Sequence, residues 1–146
     1  MNPVVKLTAW YGVVLSGLCL TGCASGPAYS QYRATAPPLA NGMGRIWFYR
    51  HSILFGDAMD PAIKLDGTKI GNSIPGGFFQ AQTTPGTHEV STTSEATYTT
   101  TVTVSTNVDS YVKFHVVPGA LTYRVEPAVV NETNAIPEMQ RLHYAR

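Results

Sequence analysis

Alternation of apolar and polar residues dominates the chain from Gly44 onward. The clearest case is "YTTTVTVS", Tyr98–Ser105, where Tyr98, Thr100, Val102 and Val104 share one side and Thr99, Thr101, Thr103 and Ser105 the other. A period of two is that of a strand with one face in a core and one in water. Tyr111–Val117 repeats the pattern with Val112, Phe114 and Val116 inward. Leu121–Val125 is read as a further strand with Leu121, Tyr123 and Val125 on its buried side. "RIWFYR", Arg45–Arg50, is different. Its apolar residues are consecutive, so both sides are hydrophobic, which marks a central strand or one that meets a partner.

Turn chemistry divides the remainder. Asp66-Gly67 is a strong hairpin dipeptide and separates Ala62–Leu65 from Lys69–Asn72. Pro75, Gly76 and Gly77 precede a strand over Phe78–Thr83, and Pro85-Gly86 turns the chain into Thr87–Thr93. His51–Asp60, with Gly56, Asp57 and Asp60, reads as a loop. Strands at this spacing predict a mainly β fold, a small antiparallel β-sandwich of about seven strands. Asn131–Arg146 lacks the alternation. Met139, Leu142 and His143 fall on one helical side if a helix starts near Pro137, so a short C-terminal helix is expected.

The N-terminus is of another kind. Lys6 is followed by Leu7–Leu20, which has no charged residue. A basic start and a short apolar run are parts of a secretory signal, and the run is shorter than the ~20 residues a bilayer span requires. Leu20-Thr21-Gly22-Cys23 then resembles the bacterial lipobox, in which the chain is cut before a cysteine whose thiol is acylated. Cys19 is a poor rival because Leu18, not a small residue, precedes it. The resemblance implies a cleaved signal helix over residues 1–22 and a diacylglycerol thioether on Cys23, often with a further amide-linked chain. Two or three acyl chains make a lasting anchor where one does not. Ala24 and Ser25 are not the aspartate that retains many such proteins in the inner membrane. In a Gram-negative host this implies the periplasmic face of the outer membrane.

Residues 23–43, with Gly26, Pro27, Pro37, Pro38, Asn41 and Gly42, are read as the lipidated cysteine and a flexible, semi-extended tether. The organisation expected is thus a signal (1–22), a tether (23–43), a β domain (44–130) and a helical tail (131–146).

Composition narrows the function classes. A net charge of +1 supplies no field for nucleic acid, which is excluded as a partner. With Cys19 removed and Cys23 acylated, the mature domain has no thiol to pair. No G-x-S-x-G elbow, H-x-x-x-H or C-x-x-C is present, and His51, His88, His115 and His143 are dispersed. No catalytic residue, metal or cofactor is therefore assigned. The aromatics Trp47, Tyr49, Phe78, Phe79, Tyr111 and Tyr123 would fill a core or, if exposed together, form a binding patch. Trp47, Tyr49, Arg50 and His51 are the residues singled out for binding.

"GRIWFYRHS" (Gly44–Ser52), "IKLDGTKIG" (Ile63–Gly71), "GGFF" (Gly76–Phe79), "PGTHEV" (Pro85–Val90) and the aromatic strand at Tyr111–Val117 together resemble an uncharacterised family of small bacterial lipoproteins, a domain of unknown function. The same order of turns is similar to PEGA-type and transthyretin-like sandwich repeats of cell-envelope proteins. The resemblance implies a fold and no activity. Phe78 and Phe79 depart from the single aromatic usual after this glycine turn, which leaves that strand's face open. The expectation is a membrane-anchored, non-catalytic structural or protein-interaction module with an envelope protein as partner. The alternatives are a small-molecule or glycan binder with an aromatic cleft, or a cryptic hydrolase or metal site.

Overall fold

The computed structural model describes residues 24–54 and 56–145, so the leader, the lipobox and Cys23 lie outside the described residues. The elements are α1 (Tyr29–Thr35), β1 (Gly44–Tyr49), β2 (Ala62–Leu65), β3 (Thr68–Asn72), β4 (Gly77–Thr83), β5 (Gly86–Thr93), β6 (Thr97–Val104), β7 (Asp109–Pro118), β8 (Tyr123–Val130), α2 (Glu132–Met139) and β9 (His143–Tyr144). The fold is mainly β, with one five-stranded sheet ordered β8-β7-β1-β4-β9 and one four-stranded sheet ordered β3-β2-β5-β6.

Two strands beyond the expected number appear, and the sheets are not purely antiparallel. The chain leaves β1 for the smaller sheet, returns as β4, leaves again as β5 and β6, and returns as β7 beside β1. That second return makes β1 and β7 parallel, while β1 and β4 are antiparallel. β9 is also parallel to β4.

Alternation in the larger sheet feeds two cores. Ile46 and Phe48 of β1, Phe79 of β4, and Val112 and Phe114 of β7 meet Ile63, Leu65, Val90, Val102 and Val104 of the smaller sheet. Trp47, Tyr49, Phe78 and Tyr111 point the other way and meet Tyr29, Ala135, Met139 and Leu142. β1 is buried at every position. The paired Phe78 and Phe79 are thereby explained: adjacent strand residues face opposite sides, and here both sides are covered. β6 keeps the predicted alternation, with Val102 and Val104 buried and Thr101 and Thr103 exposed.

Three local expectations are corrected. Residues 24–43 are not a plain tether: Tyr29–Thr35 is helical, and Tyr29 is 1% exposed. Its ring stands edge-on to Trp47 (5.3 Å) and Phe78 (5.4 Å), while Tyr32 stacks on Tyr144 at 4.2 Å. α2 begins well before Pro137, because Asn131 caps it by accepting from the Asn134 amide at 2.9 Å. Pro137 then lies inside the helix, and His143 leaves it for β9. Leu121 is not a buried strand residue but is 95% exposed in a turn. The Glu95 carboxylate accepts the amides of Ala120, Leu121 and Thr122, which withholds them from a sheet ladder. β8 instead starts at Tyr123 and continues through Pro127, which is tolerated because β8 is an edge strand.

Tyr29→Ala is expected to destabilise a soluble chain beginning at Ala24 by about 3 kcal/mol, as loss of a buried aromatic does. Urea unfolding measures this; an unchanged midpoint would mean that α1 contributes nothing to the fold. Asp66 and Gly67 have φ of 50° and 79°, the hairpin geometry read from the sequence. Gly67→Val is expected to cost about 1–2 kcal/mol through backbone strain alone, since a Cβ there meets nothing within 4 Å. Equal melting temperatures for the two chains would contradict it.

Candidate functional site

The residues singled out for binding cluster where β1 ends, and the fold assigns most of them internal partners. Trp47 and Tyr49 are covered by α1, α2 and the C-terminal segment. Arg50 is 1% exposed. Its guanidinium donates to the carbonyls of Met59 (2.5 Å), Ser73 (2.8 Å) and Gly56. A planar, five-donor cation suits this task. It draws the loop after β1 and the turn before β4 onto one centre. Burial pulls its pKa below the ordinary arginine value, and the charges of Asp57 and Asp60 oppose that fall. A cavity of about 10 Å³ beside Arg50, Ser73 and Gly77 has room for no more than a water-sized group. Arg50 therefore acts as a fastener of loops.

Around Tyr49 a polar cluster forms that sequence reasoning missed. Glu138 of α2 accepts from the Tyr49 hydroxyl (2.8 Å) and pairs with Lys113 (2.8 Å) of β7. His51, 37% exposed at its side chain, stands 3.5 Å from the same carboxylate oxygen. Burial alone would raise the Glu138 pKa, but the Lys113 and Tyr49 hydrogen bonds and the Lys113 charge outweigh it, and the net shift is downward. Tyr49 is pushed up by burial and by Glu138. The carboxylate is thus held ionised and the phenol held neutral. This arrangement docks α2 on the sheet rather than tuning a proton donor to neutral pH. The i, i+2 spacing of Tyr49 with His51, and of Lys113 with His115, was visible in the sequence. Glu138 was not, because only the path of α2 brings it there.

A second polar group lies towards the other end of β1. Arg33 donates to the hydroxyls of Tyr29 and Tyr111 (3.2 Å) and stands 3.6 Å from Asp109 and 3.7 Å from Glu132. Arg33, Asp109 and Glu132, with Arg45, Leu39, Asn107 and Val108, line an open groove of about 470 Å³. Its two arginines face two carboxylates, so the groove is close to charge balance, and none of the aromatics proposed for a cleft lines it.

The histidines do not converge. Among the described residues no group of three His, Cys, Asp or Glu side chains could hold a metal ion. His88 uses both ring nitrogens, Nδ1 with Asp66 (2.7 Å) and Nε2 with the Thr84 carbonyl (2.8 Å). Two acceptors require two N–H groups, so the imidazolium is favoured. The hydrogen bond to Asp66 raises the His88 pKa, the Thr84 carbonyl adds to the rise, and the same Asp66 bond lowers the Asp66 pKa.

These shifts have a signed consequence. The His88 contribution is complete below the unfolded histidine pKa of ~6.5 and fades as pH rises through the elevated folded value. The Asp66 contribution is present above the ordinary carboxylate pKa of ~4 and is lost as pH falls through the lowered folded value. The latch is therefore strongest in weak acid. Exposure limits it to about 0.5 kcal/mol. His88→Leu is expected to remove about 1–2 °C of the difference in Tm between pH 5.5 and 8.5. An identical pH profile for the variant would show that the latch carries no stability.

No curated protein and no solved structure matches the chain. A family model described as "Protein of unknown function (DUF2846)" matches residues 40–130, more than half of the sequence. The match spans β1 to β8 and leaves α1, α2 and β9 outside it. The chain belongs to this DUF2846 family, whose function is not known.

Proposed function

We propose that this protein is a lipid-anchored protein of the bacterial cell envelope whose two-sheet body is a non-catalytic structural or protein-interaction module. The observation that carries the reading is Leu20-Thr21-Gly22-Cys23, whose leucine ends the uncharged run Leu7–Leu20. A membrane-surface acyltransferase needs its cysteine just beyond an apolar segment, and this one is there. Ala24 after the cysteine favours the periplasmic face of the outer membrane.

The body supports the module reading through what its polar groups do. Arg50, Tyr49, Lys113 and Glu138 bind one another or the backbone, and the aromatics of β1 and β4 fill cores. These are the functions of a scaffold. The order of turns at Asp66-Gly67, Gly76-Gly77 and Pro85-Gly86 supports kinship with PEGA-type and transthyretin-like sandwiches.

Cys23→Ser is expected to leave an uncleaved precursor that takes up no labelled fatty acid and carries no lipid on its N-terminal peptide. Fractionation of the host envelope and mass spectrometry of that peptide check this. Fatty-acid incorporation equal to that of the parent chain would defeat the assignment.

A further inference from the structure

We propose that the loops bearing Ile53, Leu54 and Leu121 rest in the interfacial layer of the bilayer that holds the Cys23 lipid, so that the domain lies on the membrane with this end down. The proposal rests on the lipid-anchor reading and adds an orientation to it.

The path of the N-terminal segment is the first observation. The Gly26 amide donates to Tyr144 (3.1 Å), the Tyr144 amide to Pro27 (2.9 Å) and the Tyr29 amide to Leu142 (3.1 Å). Residues 26–29 are thus zipped onto the edge formed by β9. Ala24 lies against the first residue of β4: a Cβ placed on Gly77 would be 3.2 Å from the Ala24 Cβ. Cys23 directly precedes Ala24 in the sequence. No free spacer separates the lipid attachment point from the folded body, so an anchored domain stands against its membrane.

The second observation fixes which end is nearest. The Gly77 carbonyl accepts the Arg50 amide at 3.0 Å, where β1 passes into the loop over residues 51–60. β7 runs parallel to β1 and continues from Lys113, opposite Tyr49, to Pro118. The Gly119–Thr122 turn therefore stands at the same end, with the Thr122 hydroxyl 4.0 Å from the Met59 sulfur.

Among the described residues, this end carries three of the five exposed large hydrophobics. Leu54 is 87% exposed, Leu121 95% and Ile53 38%, whereas Val129 lies on β8 and Val108 at the opposite end, beside the start of β1. The tips are held outward by internal bonds. Arg50 grips Gly56 and Met59, Asp57 accepts from Ser52 and the Ile53 amide, and Glu95 takes three amides of the 120–122 turn. Neither 51–60 nor 119–122 contains a lysine or arginine. With no basic residue, and with Asp57, Asp60 and Glu95 beside the tips, the surface suits a boundary of zwitterionic rather than anionic headgroups.

The test uses the full chain matured in its host. With Cys23 acylated and Cys19 removed with the leader, Leu54→Cys, Leu121→Cys and Val108→Cys each supply one free thiol for a fluorophore. The labelled proteins are placed in phosphatidylethanolamine–phosphatidylcholine vesicles containing lipid brominated near the carbonyl. Labels at 54 and 121 are expected to be quenched about twofold, as insertion by ~5–10 Å requires, and the label at 108 not at all. An acylated, vesicle-bound protein whose three labels are equally unquenched overturns the docking and leaves the anchor standing. Labels at 54 and 121 shielded from iodide yet untouched by bromolipid show a protein occupant and overturn it too. A Cys23 without lipid, in protein that does not float with vesicles, overturns the anchor and this orientation together.

Discussion

Burial of β1 on both faces is the constraint from which the architecture follows. A strand with Ile46 and Phe48 on one side and Trp47 and Tyr49 on the other cannot lie at the surface of a two-layer fold. One face is satisfied by the smaller sheet. The other needs a further layer, and among the described residues that layer comes from chain outside the eight strands from β1 to β8. α1 supplies Tyr29, α2 supplies Ala135 and Met139, and the approach to β9 supplies Leu142. Phe78 and Tyr111 join this second core because β4 and β7 flank β1 and share its pleat.

Polar groups then fix how the layers meet. A buried arginine is costly unless its donors are engaged, so Arg50 selects one conformation of the neighbouring loop by collecting carbonyls from it. Lys113 and Tyr49 converge on Glu138 and set the position of α2. Arg33 does the same for α1, linking it to Tyr111, Asp109 and Glu132. The Glu138 and Arg33 fasteners join elements distant in sequence, and Tyr49 and Arg50 are residues the sequence had singled out for binding.

That difference marks what was legible. Strands bounded by Asp66-Gly67 or Pro85-Gly86, and the alternation of β6, are local and emerged within a residue or two of their positions. The consecutive apolar residues of β1 marked a central strand or one that meets a partner, and the structure has it central and buried. What covers its second face was hidden, because α1 is short, has no side-chain N-cap and has one buried residue, Tyr29, with only Tyr32 beside it as a second large apolar side chain. Leu121 was misplaced for a similar reason. Its alternation with Tyr123 and Val125 is sound, yet a carboxylate from the β5–β6 turn captures its amide. Of the binding residues proposed, Trp47, Tyr49 and Arg50 were chosen for chemistry that burial consumes, and only His51 remains at a partly open surface.

The flanking segments bear on what the proposed anchor would do in this chain. A free spacer lets a domain sample a volume and leaves its orientation to chance. Here residues 26–29 are bound to β9, β9 is bound to β4, and β4 is bound to β1. Any force on the N-terminus is therefore delivered into the centre of the larger sheet rather than dissipated in slack. The same contacts that complete the second core also fix where the chain leaves the body. Stability and orientation are carried by one set of residues, Tyr29 foremost, and weakening that packing would lengthen the leash as well as open the core.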